Sequence, residues 1–406
     1  MRLPDAAWQR WHGMDTLLDV LGAGEGETRY VGGCVRDTLL GLEVSDVDLA
    51  TRLAPQEVID RLGRARIKAV PTGIAHGTVT ALLRGHPIEV TTLRRDVSTD
   101  GRRATIAYTD DWKEDAARRD FTINALSADP VTRRVHDYFD GEADLAARRV
   151  RFIGDPLTRI AEDHLRILRF FRFHARFGAG APDPASLDAC TARANDLMAL
   201  SRERIADELL KLLALPDPSV TVRLMVERGI LSPVLPEITH ESAARLEALV
   251  RREQISGIPP EALRRLAALL PPDAALAASL SARLRLSNKA IKRIVSAAER
   301  QPDDAQRPLA LAYRVGGDEA IDRLLLGDEE EAATAEKVKS LAGYTRPRFP
   351  ISGGDLIQMG LSPGPTVAAT LQAIERDWIE GGFALDEDGV RQLARTRVDQ
   401  ALRASQ

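Results

Sequence analysis

Gly32-Gly33-Cys34-Val35-Arg36-Asp37-Thr38-Leu39-Leu40-Gly41 and, shortly after, Ser45-Asp46-Val47-Asp48-Leu49-Ala50 decide how the rest of the chain is read. A strand-like run at residues 28–31 leads into the paired glycines, and a helix can begin directly after them. Backbone N–H groups at such a corner can approach a ligand closely. Arg36, one turn on, adds a fixed cation suited to a triphosphate. Taken alone, the glycine pair reads more readily as a bare turn. Asp46 and Asp48 change that. Alternate residues of a strand share a face, so a strand at 44–49 sets both carboxylates on one side and turns Val47 and Leu49 toward the core. Carboxylates this close repel each other unless a cation sits between them. Mg2+, held by a few carboxylates plus substrate phosphates, suits the position. Asp46 and Asp48 are therefore the expected metal-binding catalytic pair. Glu89, flanked by Ile88 and Val90 in another strand-like run, could complete the cluster as a third catalytic carboxylate, or stand as an ordinary exposed strand residue.

Outward from this stretch, residues 78–83 and 87–93 read as further strands, joined by a turn at Arg84-Gly85-His86-Pro87. Residues 99–111 are polar and charged and read as a long loop. From about residue 157 alanine, leucine and arginine dominate with helical periodicity, and strand signals nearly vanish. The expected fold class is α+β: a small mixed sheet in an N-terminal head, then an all-α remainder. Four parts are drawn, with a head at 1–147, a helical neck at 148–215, a helical body at 216–300 and a helical tail at 301–406.

Composition narrows the function classes. The 406 residues carry a net charge of −4, with 44% hydrophobic, 29% charged and 4% aromatic residues. No apolar run is long enough to span a bilayer, and the first residues lack a signal-peptide core, so no membrane partner and a cytoplasmic location are expected. Cys34 and Cys190 are too few for a disulfide framework or a four-ligand zinc site. A net acidic chain binds nucleic acid only through local basic patches, and the scarcity of aromatics argues against base-stacking platforms. One candidate patch is Arg283, Arg285, Lys289, Lys292 and Arg293, which could equally be a solvated helix face.

Further motifs follow the glycine corner in order: Arg118-Arg119-Asp120-Phe121-Thr122-Ile123-Asn124-Ala125-Leu126, then Asp137-Tyr138-Phe139-Asp140-Gly141, then Glu162-Asp163-x-x-Arg166-x-x-Arg169-x-x-Arg172-Phe173. Together with the first stretch they resemble the class II tRNA CCA-adding enzyme and bacterial poly(A) polymerase family over roughly residues 28–178. Ser352-Gly353-Gly354-Asp355-Leu356 with Gly360-Leu361 and Pro363-Gly364-Pro365 is similar to C-terminal segments of that family. The resemblance implies a polymerase-beta-like nucleotidyltransferase head and places the nucleotide on Gly33, Arg36, Arg119, Asp163, Arg166, Arg169 and Arg172. It implies Mg2+ on Asp46 and Asp48, with tRNA, CTP and ATP as partners. It also places a flexible loop at about 94–113, including Asp96, Asp100 and Gly101-Arg102-Arg103, that helps the switch from C to A.

Residues 159–177 read on their own pattern as one amphipathic helix. Ile160, Ile167, Leu168, Phe171 and Ala175 form its apolar stripe, and Arg166, Arg169, Arg172 and Arg176 lie opposite. Asp163 and Arg166, one turn apart, would offer an acceptor for the exocyclic amine of cytosine or adenine and a donor for the ring nitrogen beside it. Uracil and guanine present the reverse pattern. Such a match is worth roughly 1–3 kcal/mol. The expected activity is template-independent addition of CCA to the tRNA 3′ end with release of pyrophosphate. The alternatives are a poly(A) polymerase of the same family, an enzyme adding only CC or only A, and a noncatalytic RNA-binding protein on the same fold. No oligomeric state is read from the sequence.

Overall fold

The computed structural model describes residues 1–100 and 103–404 and divides them into two compact units, Met1–Pro236 and Glu237–Gln406. In the first unit α1 (Met14–Val20) precedes β1 (Thr28–Val31), α2 (Gly33–Leu39), β2 (Val47–Thr51), α3 (Pro55–Arg64), β3 (Lys68–Gly73), β4 (Thr78–Leu83), β5 (His86–Thr92), β6 (Arg94–Asp100) and β7 (Arg103–Tyr108). Then come α4 (Trp112–Ala117), β8 (Ser127–Ala128), β9 (Val135–His136), α5 (Gly141–Ala146), α6 (Pro156–Glu162), α7 (Arg166–Phe177), α8 (Pro184–Ala192), α9 (Arg202–Leu213) and α10 (Ser219–Glu227). The head and neck drawn at 147/148 share this one unit.

Seven of the nine described strands form one sheet in the order β3-β4-β5-β2-β1-β8-β9, and β6 and β7 form a second. Only the β2–β5 pair is parallel. The parallel register aligns Asp48 with Glu89, so the two side chains leave the same face on neighbouring strands, about 5 Å apart at the backbone. Val47, Leu49, Ile88 and Val90 point the other way and are fully buried. The alternation that makes β2 a half-buried strand is thus what delivers Asp48 to the open face. The strand begins at Val47 rather than residue 44, and Asp46 stands one residue before it.

Two other expectations are corrected. The stretch expected to be a long loop at 99–111 is largely a hairpin of β6 and β7, paired from Arg94 with Tyr108 to Asp100 with Arg103. Gly101 and Arg102 lie outside the described residues, as do the side chains of residues 96–105. The single helix expected at 159–177 is two helices. Asp163 ends α6 in an extended conformation, φ −153° and ψ 107°, and α7 restarts at Arg166.

Phe121, Phe152, Phe170 and Phe173 hold head to neck. Their rings pack in contact at tilted angles, with centroids 5.0 Å apart for Phe121 and Phe152 and 5.1 Å for Phe121 and Phe173. Phe121 and Phe170 are fully buried, and truncating such a ring costs roughly 3–5 kcal/mol. Ala175, placed on the apolar stripe from the sequence, is only partly buried, whereas Phe170, Phe173 and Phe177 are buried.

The second unit is helical. It contains α11 (His240–Ser256), α12 (Ala262–Leu269), α13 (Ala274–Arg283), α14 (Asn288–Ala298), α15 (Pro308–Val315), α16 (Gly317–Leu326), α17 (Glu331–Ser340), α18 (Gly353–Gln358), α19 (Pro365–Glu380) and α20 (Glu387–Ala404). The glycine-proline motif near its end is architectural. Ser352 and Asp355 form a capping box on α18, which satisfies backbone N–H groups at the helix start. Leu356 and Leu361 enter a core with Trp378 and Val390. Among the described residues no helix is long and apolar enough to cross a membrane.

Candidate functional site

The open face of β2 forms one wall of a cavity of about 670 Å³ in the first unit, within the range of small-molecule sites. Gly32, Gly33, Arg36, Asp46, Asp48, Arg119, Asp163, Arg166 and Arg169 all line it. β2, α2 and α7, with the ends of α4 and α6, therefore converge on the residues singled out in the sequence.

The glycine corner is explained by two constraints that fall on different residues. Gly32 sits at φ 72° and ψ −126°, a region closed to side chains. A Cβ there would lie 2.8 Å from Nη1 of Arg119. Gly33 opens α2, and a Cβ on it would meet nothing closer than 3.7 Å. Cys34, one residue on, is buried and donates weakly to the Val31 and Asp48 carbonyls. Burial pushes its thiol up to about 12, so it acts as packing between α2 and β2.

Asp46 is exposed and accepts from the Ser45 hydroxyl at 2.8 Å. Asp48 is half-buried, and its carboxyl is raised to about 6. Burial is the main cause, followed by the charge of Glu89; Arg119 opposes the rise and Asp46 adds to it. Glu89 is exposed and lies outside the cavity lining, but its charge reaches Asp48 from the neighbouring strand.

The cationic wall is preformed. Arg36 is buried, pairs with Asp37 at 2.7 Å, donates to Asn124 and lies 4.1 Å over the Phe177 ring. Arg119 is 3.6 Å from Asp115, and Arg118 also pairs with Asp115, at 2.8 Å. Arg169 grips Asp120 through two nitrogens at 2.6 and 2.8 Å. Burial alone would raise the Asp120 carboxyl, yet the charge and hydrogen bonds of Arg169, with Asn124 and the Phe121 N–H, hold it below the usual range.

Asp163 accepts the Leu165 N–H on one oxygen and Arg204 at 2.7 Å on the other. Arg166 donates to Glu162 and to the Arg159 and Arg118 carbonyls. A carboxylate offers about four acceptor positions and a guanidinium five N–H groups, so both retain capacity for a ligand. Because the helix breaks between them, they are oriented by Arg204 and Glu162, not by a shared helical turn.

Arg172, expected among the nucleotide-binding residues, does not reach the cavity. It pairs with the buried Glu208 of α9 and covers the Phe173 ring at 4.6 Å. The lining residues that the sequence reading left unassigned are chiefly Asp37, Arg118, Asp120, Asn124, Arg176 and Arg204. Five of them sit inside the quoted motifs or the arginine series of α7. Arg204, on α9, carries no local signal.

A family profile described as "Poly A polymerase head domain" matches residues 28–151, and one described as "Probable RNA and SrmB- binding site of polymerase A" matches 181–241. The chain is 32% identical to the CCA tRNA nucleotidyltransferase 1, mitochondrial, of Mus musculus, over 93% of this chain and 88% of that protein. This chain belongs to the class II CCA-adding nucleotidyltransferase family. A second relative, the CCA-adding enzyme of Lacticaseibacillus paracasei, is 31% identical over 90% of this chain and 92% of its own length. The fold matches that of the Bacillus stearothermophilus CCA-adding enzyme solved in complex with CTP. That match has a TM-score of 0.70 at 23% identity and covers 97% of this chain and 99% of that one.

Enzymes of the nucleotidyltransferase family generally use a divalent metal ion. The residues present fit one. Asp46 and Asp48 both line the cavity, and Glu89 stands beside Asp48 on the neighbouring strand. Burial chiefly, and the charges of Glu89 and Asp46 in addition, raise the Asp48 carboxyl, a rise that a bound cation would oppose.

Proposed function

We propose that this chain adds C, C and A to the 3′ end of tRNA from CTP and ATP, without a nucleic-acid template, releasing pyrophosphate. The observation that carries the reading is that one cavity joins the Asp46–Asp48 face to the Asp163–Arg166 edge. The reacting phosphate and the base are separate ends of one nucleotide, and a single pocket addresses both.

Asp46 and Asp48 would hold Mg2+, with Glu89 supporting from the adjacent strand. Mg2+ takes one or two carboxylates and completes its shell with substrate phosphates and water, so the Asp46 and Asp48 carboxylates would serve as its protein ligands. Bound there, Mg2+ would supply acidification of the RNA 3′-hydroxyl and neutralisation of triphosphate charge. The protein's own groups do the rest. Gly32 and Gly33 let the phosphates come close to the backbone. Arg36, Arg119 and Arg169 clamp phosphates and sugar in line for attack at the α-phosphorus. Asp163 accepts from the amine of C or A, and Arg166 donates to the neighbouring ring nitrogen, giving roughly tenfold to a hundredfold rejection of U and G.

The head (1–147) performs transfer, the neck (148–215) selects the base, and the body (216–300) and tail (301–406) hold RNA. A cytoplasmic location belongs to the same reading, consistent with two buried, unbridged cysteines.

The test is incubation with tRNA lacking its terminus, giving CTP, ATP or both. Extension by two with CTP alone and by three with both is expected. Long A tracts would shift the reading to poly(A) synthesis, and no extension would overturn it. Asp46→Ala should abolish addition yet leave tRNA binding intact, and Asp163→Ala or Arg166→Ala should admit UTP or GTP.

A further inference from the structure

Within the same cavity, six side chains from three segments close into a ring. Starting on α7, Arg169 holds Asp120 at 2.6 Å. Asp120 accepts from the Asn124 amide at 2.9 Å, and Asn124 accepts from Arg36. Arg36 pairs with Asp37 at 2.7 Å, and the other oxygen of Asp37 lies 3.5 Å from Arg176, back on α7. Every member lines the cavity. The arm through Asp37 joins the glycine-corner helix to the far end of the neck helix by one carboxylate.

Asp37 has no reason from packing alone to be a carboxylate. It is buried at 8% exposure, and a buried charge is costly unless paired. Its two oxygens are divided between two arginines that belong to different helices, Arg36 on α2 and Arg176 on α7. Burial also weakens the charged form of Arg36, and Asp37 is the chief influence sustaining it. Removing the charge would therefore act on both sides at once. Arg36 would lose the anion that fixes its plane, and the end of α7 would lose its tie to α2.

We infer that Asp37 is a positioning residue for nucleotide binding: it bridges Arg36 and Arg176 and so sets the width of the phosphate-facing side of the cavity. This rests on the functional reading above and deepens it. Asp37 touches no reacting atom in this account. It acts through the two guanidinium groups, equally in the ground and transition states. Such a role raises KM and leaves kcat nearly unchanged.

The experiment is a double-mutant cycle of Asp37→Asn and Arg176→Gln, read as direct CTP affinity and as KM and kcat for CTP and ATP. D37N should weaken nucleotide binding about tenfold, the scale of one charge-assisted hydrogen bond, with kcat held within about threefold. R176Q should weaken it less, and the double variant should match D37N alone. Effects that multiply, meaning that Arg176 meets the substrate independently, would overturn the bridge. So would a D37N defect confined to kcat. Should D37N fail to fold, the half-exposed Arg176 decides: Arg176→Lys keeps a charge for this single-point contact and should restore the affinity lost in R176Q, and an R176K as weak as R176Q overturns the proposal. A wild-type chain that binds CTP but extends no tRNA would instead break the functional reading, with the ring still tested by affinity.

Discussion

Gly32 and Gly33 are adjacent and chemically identical, yet the structure asks different things of them. Gly32→Ala meets both a forbidden backbone region and Arg119. It should cost about 1–3 kcal/mol of stability and raise the KM for CTP by pushing Arg119 aside. Gly33→Ala should be nearly neutral for stability, and equal losses of melting temperature in the two variants would contradict this assignment. The family resemblance singled out Gly33, whereas the glycine pair before a helix marked a close approach of backbone to ligand for both residues alike. The sequence could not tell which of the two carried the backbone constraint, since a dihedral angle leaves no mark in composition. Arg172 shows the same limit. Its spacing of three from Arg169 put it in the series, but its partner Glu208 is 36 residues away in sequence. Arg172→Ala should leave Glu208 buried without its guanidinium and destabilise the fold by roughly 3 kcal/mol, with little change in nucleotide KM once stability is restored by cooler conditions. A large rise in KM with an unchanged melting temperature would return Arg172 to the site.

At the scale of elements, alternation made β2 and β5 legible. Val47 and Leu49 against Asp48, and Ile88 and Val90 against Glu89, are half-buried strands by pattern, and their neighbouring positions follow from the parallel pairing. The break at Asp163 was not legible. Ile160 and Ile167 keep a seven-residue spacing across it, and no proline or glycine marks it. The hairpin of β6 and β7 was hidden for another reason: it is a separate two-stranded sheet, and few apolar residues alternate along it. β3 was missed because it contains Pro71 at the sheet edge. The link between the segment carrying Asp120 and α7 yields a pH prediction. Asp120 has its carboxyl held below the ordinary value, so its contribution to stability is complete at neutral pH and drains away as pH falls below about 4. Asp120→Asn should be less stable at pH 7, and the gap to wild type should narrow through that acid range. A gap that stays constant down to pH 3 in thermal unfolding would rule out the Arg169 pair as its origin.

For the whole molecule, the head, the neck motifs and the all-α remainder were readable from the chain, and the division into compact units at 236/237 was not. The candidate RNA patch is where the second unit revises the reading most. Arg293 pairs with Asp322 at 2.6 Å and approaches Glu261 at 3.4 Å. Asp322 and Glu253 also hold the buried Arg264, and Glu253 holds Arg265. Arg283 pairs with Glu237 at 2.6 Å. Lys289 and Lys292 remain exposed on α14. Arg293→Gln should destabilise the protein by roughly 1–3 kcal/mol without specific loss of tRNA affinity. Neutralising Lys289 and Lys292 should leave stability alone and lower the salt dependence of tRNA binding by up to about two counterions. Binding that ignores both lysines would move the RNA contact elsewhere.

Among the described residues, the cavity wall carries its positive charge on seven arginines and no lysine. Guanidinium groups stay protonated across the working pH range and are not acylated as amines are. Acetic anhydride or an enzymatic lysine acetylase therefore finds no target in the pocket, whereas an arginine-directed dicarbonyl does. Metabolic acyl donors that silence lysine-dependent enzymes would leave this one charged.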